Sequence, residues 1–148
     1  MRESLIVLGL LGLVVLLALL QPQFPSVPFT TVALGEESGI SSWEVLVVTD
    51  DAGWQELWER HASSSRRPPP MPQLDFSAEM VIALFGGLQS EGVLLQITRI
   101  EKRLGRLVVH YVLSGPACSK CSLPTGLVQP FHIIRLARLD LPVVFSRD

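Results

Sequence analysis

The order of patterns along this chain predicts an α+β domain: a mostly antiparallel sheet of about five to six strands with one amphipathic helix packed on it, preceded by an N-terminal membrane segment. Three observations carry that prediction. Sixteen apolar residues, Leu5 to Leu20, stand directly behind Met1-Arg2-Glu3-Ser4. One stretch, Trp54 to His61, repeats its bulky residues at helical spacing. The later apolar stretches are short, rich in β-branched residues and bounded by Gly, Pro or charged residues, as strands are.

The leading run carries no charge. At ~1.5 Å per residue it reaches about 24 Å, short of the ~30 Å hydrocarbon core. Uncharged sequence continues to Gly35 and can complete a span. After Leu20 the chain reads Gln21-Pro22-Gln23-Phe24-Pro25, with no small-x-small cleavage pattern, and the nearest acceptable triplet, Thr31-Val32-Ala33, is distant. The expectation is an uncleaved anchor over 1–22, in the cell membrane as a single pass with the domain outside the cytoplasm. Export after signal cleavage is the alternative. Pro22, Pro25 and Pro28 fix φ and remove donors, which reads as a stiff stalk over 23–40. The folded domain is then 41–148, enough residues for a single small core.

Trp43 to Thr49 is apolar and β-branched, and Asp50-Asp51 both ends that strand and supplies an N-cap. In the helix that follows, Trp54, Leu57, Trp58 and His61 share one face at i, i+3, i+4 and i+7, which lays two tryptophans on a sheet. Ser63 to Pro72 holds four prolines and reads as an exposed polyproline-like connector. Met80 to Phe85 is apolar at every position, the pattern of a central strand covered on both faces. Val93–Ile100 and Leu107–Leu113 flank a turn whose Gly105 permits positive φ, so they form an antiparallel hairpin with Leu107, Val109, Tyr111 and Leu113 on one face. Phe131–Leu136 and Leu141–Phe145 complete the strands.

The formal net charge of −2 conceals an asymmetry: ten acids against three bases from Gln21 to Glu91, and three acids against eight bases from Gly92 to Asp148. The halves either face each other or solvent, or the basic half meets a partner through Arg99, Lys102, Arg103 and Arg106. Singly scattered bases without interleaved aromatics exclude a nucleic-acid footprint.

Cys118-Ser119-Lys120-Cys121 is the one conspicuous chemical motif. A redox dithiol needs a helix N-terminus, and the flanking Pro116 and Pro124 leave no room for one. Zinc needs four ligands, which His110 or His132 would have to help supply. A disulfide or a pair of small structural side chains is the simplest reading, with the CxxC redox or zinc protein as the alternative function. His61, His110 and His132 fit packing roles. No nucleophile elbow, triad or phosphate loop occurs, so the expectation is a non-catalytic protein needing no cofactor.

The segment Asp75-Phe76-Ser77-Ala78-Glu79-Met80-Val81-Ile82-Ala83-Leu84-Phe85 resembles the opening of the C-terminal domain of the protease-complex subunit PrcB, a domain found in many exported bacterial proteins. Leu107-Val108-Val109-His110, Gly115-Pro116-Ala117-Cys118, Gln129-Pro130-Phe131-His132-Ile133-Ile134 and Leu141-Pro142-Val143-Val144-Phe145 follow in the family's order. Trp54, Leu57 and Trp58 resemble the W-x-x-L-W piece that often precedes it. Two departures stand out: Gly92-Val93-Leu94 replaces the common Gly-Gly-Tyr, and Cys121 is an addition beside the Cys118 position where the family often has a cysteine. The resemblance implies an exported accessory module working by contact with a protein partner.

Overall fold

A computed structural model describes residues 24–115 and 126–148. Both the apolar leader and the Cys118/Cys121 pair lie outside the described residues. Among those described, no helix is long and apolar enough to cross a membrane.

Among the described residues, nine strands and one helix follow in order: β1 (Phe29–Gly35), β2 (Trp43–Val48), α1 (Asp51–Ala62), β3 (Glu79–Gly86), β4 (Gln89–Ser90), β5 (Leu94–Arg103), β6 (Arg106–Ser114), β7 (Leu127–Val128), β8 (Phe131–Ala137) and β9 (Val143–Arg147). They build a four-stranded sheet ordered β1-β8-β3-β2, a three-stranded sheet ordered β5-β6-β9, and a two-residue ribbon of β4 with β7. The α+β class expected from sequence is present, with the strands divided between two main sheets.

The division follows from β3. Its odd-numbered side chains Val81, Ala83 and Phe85 pack with Trp54, Leu57 and Trp58 of α1, while Met80, Ile82 and Leu84 pack with Leu95, Ile97, Ile100, Leu107 and Val109 of the second sheet. One strand therefore feeds two cores, which is why it is apolar throughout. Its five larger apolar side chains are at most 2% exposed, at about 1.5–3 kcal/mol of burial each. The layers run helix, four-stranded sheet, three-stranded sheet.

Helix α1 starts where Asp50, in an extended conformation, accepts the Gly53 N–H at 2.8 Å through Oδ1. At the other end Ser63 Oγ donates to the Arg60 carbonyl at 2.8 Å. The proline connector stays exposed, and both indoles latch it: Trp54 Nε1 donates to Pro72 O at 2.9 Å and Trp58 Nε1 to Pro69 O at 3.2 Å. The β5–β6 hairpin turns through Leu104 (φ 48) and Gly105 (φ 74), two consecutive left-handed residues that match the twist of the strands. Strand β5 runs on to Arg103, past the Ile100 expected from sequence, and shifts register between Ile97 and Arg99.

Strand β9 pairs parallel with β6 within the mostly antiparallel arrangement. One expectation needs correction. The segment 23–40 is not a free stalk. Its residues 29–35 form β1 on β8, and just before them Lys102 N donates to Pro25 O at 2.9 Å and Val27 N to Ile100 O at 2.8 Å. Pro25 and Pro28 remove donors only where no ladder bond needs them, so the segment straps the edge of β5 near Ile100 and Lys102 and then crosses into the first sheet.

Candidate functional site

The four basic residues singled out in the sequence divide into two groups. Arg99 is neutralised: Nη1 lies 2.9 Å from Asp148 Oδ2 and Nε 3.2 Å from Glu101 Oε1. Beneath it His110, 8% exposed, places Nδ1 3.0 Å from Asp148 Oδ1 and Nε2 3.4 Å from Glu101 Oε2. The His110 contact, and after it the Arg99 charge, holds the Asp148 carboxyl below its usual range. Arg99, His110, Glu101 and Asp148 thus form one polar cluster on the outer face of the second sheet. It closes only because the register shift in β5 and the parallel β9 bring positions 99, 110 and 148 together, which spacing in the sequence does not announce.

Lys102, Arg103 and Arg106 stand apart at the hairpin tip. All three are exposed, and none pairs with a carboxylate among the described residues. Between them Leu104 is 86% exposed, and the Arg103 guanidinium lies 4.5 Å from the ring centroid of Phe24.

The remaining histidines, His61 and His132, are buried. His61 lies against Phe131 with ring centroids 4.2 Å apart and contacts Ser38 Oγ through Nδ1 at 3.1 Å; burial lowers its pKa. Ser38 is fully buried, and its Oγ also accepts the Ile40 N–H. A cleft of about 490 Å³ opens beside it, walled by Trp58, His61, Phe131 and Val32 and rimmed by Pro69 and Glu37. Its groups give it an apolar lining with one carboxylate and no activated nucleophile. Among the described residues no group of His, Cys, Asp and Glu has the arrangement of a metal centre.

Strand β2 offers a feature the sequence reading missed. It is an edge strand, and Trp43, Val45 and Val47, which alternate along it, are 45%, 38% and 41% exposed. Gly86 spends its N–H on Pro130 O, so ladder alternation leaves the backbone groups of its partner Trp43, and of Val45 and Val47, facing the open side. The other main edges are blunted. The strap covers β5 from Ile100 to Lys102, register shifts interrupt β5 between Ile97 and Arg99 and β1 between Thr31 and Ala33, and β9 is short and follows Pro142. The only charge on β2, Glu44, is held in a two-pronged pair by Arg60 at 2.8 Å, which keeps its carboxyl below the usual range. A run apolar at nearly every position signals a strand; its place at a sheet edge emerges only from the topology.

Comparison with protein-family models, curated proteins and solved structures found no match. The likeness to the PrcB C-terminal domain therefore rests on the residues quoted above.

Proposed function

We propose that this chain is a membrane-tethered, extracytoplasmic, non-catalytic module that works by contact with a protein partner. The observation that carries this reading is β2, an unprotected edge with an apolar stripe of Trp43, Val45 and Val47 and no Lys, Pro or bulge to discourage pairing. An edge of this kind accepts an extended partner segment, whose main chain supplies hydrogen bonds while alternate side chains meet the stripe. The PrcB-like segments and the apolar leader support an exported accessory role.

A photoreactive amino acid placed at position 45 of the full chain tests this in cells. Cross-linking to one defined protein is expected, with Val47→Lys abolishing it and the same probe at Gln55, on the exposed helix face, giving none. Equal labelling at positions 45 and 55 would refute the edge as the contact. Turnover of any substrate that depends on His61, His110 or either cysteine would overturn the non-catalytic reading.

A further inference from the structure

The correction to the stalk changes where the domain sits. Phe24 lies under Arg103, and Pro25 is bonded to Lys102, so the described chain begins at the tip of the β5–β6 hairpin. Only Gln21, Pro22 and Gln23 separate Phe24 from the end of the apolar run at Leu20. Four Cα steps at ~3.3–3.6 Å span at most about 14 Å. The headgroup layer on each side of a bilayer is itself about 5–8 Å thick, and charges act over about 8 Å at physiological salt. A hairpin tip tied that closely to a membrane-embedded run cannot stand outside the headgroup field.

Chemistry at the tip fits that position. Three cations without carboxylate partners among the described residues flank an 86% exposed leucine, whereas Arg99, further along β5, is neutralised by its neighbours. The acidic residues of α1, Asp51, Glu56 and Glu59, lie across the four-stranded sheet from this hairpin. Resting on the tethered reading above, we propose that Lys102, Arg103 and Arg106 seat on anionic phospholipid headgroups of the bilayer that holds residues 5–20, with Leu104 entering the interface. The contact sets the orientation of the domain and leaves β2 available to a protein. It also reassigns the basic patch, which the sequence alone suggested for a protein partner.

The full chain, with Cys118 and Cys121 replaced by Ser and a nitroxide on Leu104→Cys, is reconstituted in vesicles of phosphatidylglycerol with phosphatidylcholine, and in phosphatidylcholine alone. A nitroxide on Gln55→Cys is the control, and resistance to carbonate extraction reads the tether separately. In anionic vesicles the label at 104 should report lipid contact and the label at 55 water. Neutralising each of Lys102, Arg103 and Arg106 with Gln should lower the ratio of docked to free label by roughly fivefold. High salt and neutral lipid should do the same. A carbonate-resistant chain whose label at 104 is as wet as that at 55 overturns the seating and leaves the tether standing. Extraction of the chain by carbonate overturns both, and lipid contact that persists in the triple Gln variant overturns the role of the cations.

Discussion

His132 accepts the backbone N–H of Ile97 through Nδ1 at 2.8 Å, a bond that joins the two main sheets across the second core. Because Nδ1 accepts, the ring proton sits on Nε2 and is donated to Thr31 Oγ1 at 2.9 Å. One imidazole, 1% exposed, therefore ties β8 to β1 and to the irregular part of β5. It can do so only as the neutral tautomer, and burial pushes its pKa down to about 4.

Stability should consequently fall with acidification. The folded pKa lies below the unfolded value of about 6.5, so the unfolded chain takes up the proton first; the full contribution is present above pH ~6.5 and declines until pH ~4, by up to ~3 kcal/mol. Burial lowers the His61 pKa as well, adding a decline of the same sign. Urea midpoints between pH 7 and 4.5 should drop accordingly, and His132→Asn should flatten part of that slope. A pH-independent midpoint in the native chain would refute the buried neutral imidazole.

Gly39 is predicted to be intolerant of a methyl group. Its N–H donates to His61 O at 2.8 Å, and a Cβ there would collide with the Arg60 carbonyl and Ser63 Oγ, backbone and cap of the helix end. Gly39→Ala should cost about 1–3 kcal/mol in denaturant unfolding. Gly115→Ala, with nothing within 4 Å among the described residues, is the control and should be near neutral.

The two indole latches predict the behaviour of the connector. Trp54→Phe with Trp58→Phe keeps most of the buried ring area and deletes both bonds to Pro72 and Pro69. Each bond contributes about 0.5–1.5 kcal/mol. Trypsin should then cleave faster after the exposed Arg66, since Pro68 protects the bond after Arg67, while the core transition stays cooperative. Unchanged cleavage would show that the latches do not restrain the connector.

Replacing Cys118 and Cys121 together by Ser should leave partner binding nearly intact. The stability loss should be at most a few kcal/mol, toward the low end for so short a loop. Loss of a thiol-exchange activity, or release of zinc seen by metal analysis, would instead establish the redox or metal reading.

Much of this architecture was legible because local pattern and tertiary role coincide. Met80–Phe85 is apolar throughout and is buried on both faces; Asp50 caps the helix; Gly105 turns the hairpin. Strand β1 escaped because Pro22, Pro25 and Pro28 suggest an extended stalk. Phe29-Thr30-Thr31-Val32 does carry strand propensity, but a strand that is half exposed becomes recognisable only through its partner β8. The parallel pairing of β9 was hidden for a similar reason, since five residues of apolar sequence say nothing about direction. At the candidate site the tip cations were visible as a charge cluster, whereas the neutralisation of Arg99 by Asp148, 49 positions away, was not.

The strap also has a mechanical meaning. Tension on the N-terminus reaches the bond from Lys102 to Pro25 first and the bond from Val27 to Ile100 next, so it peels the strap from the β5 edge before it loads the β1–β8 ladder. In a force spectrometer, pulling the full chain by its N-terminus should give a short step ahead of the main unfolding event; a single event would sink the idea. Freed residues 25–28 would lengthen the tether by roughly 14 Å, enough to lift the hairpin away from a surface while both cores stay closed. In this sense the strap is a fuse that spends a pulling force before the fold does.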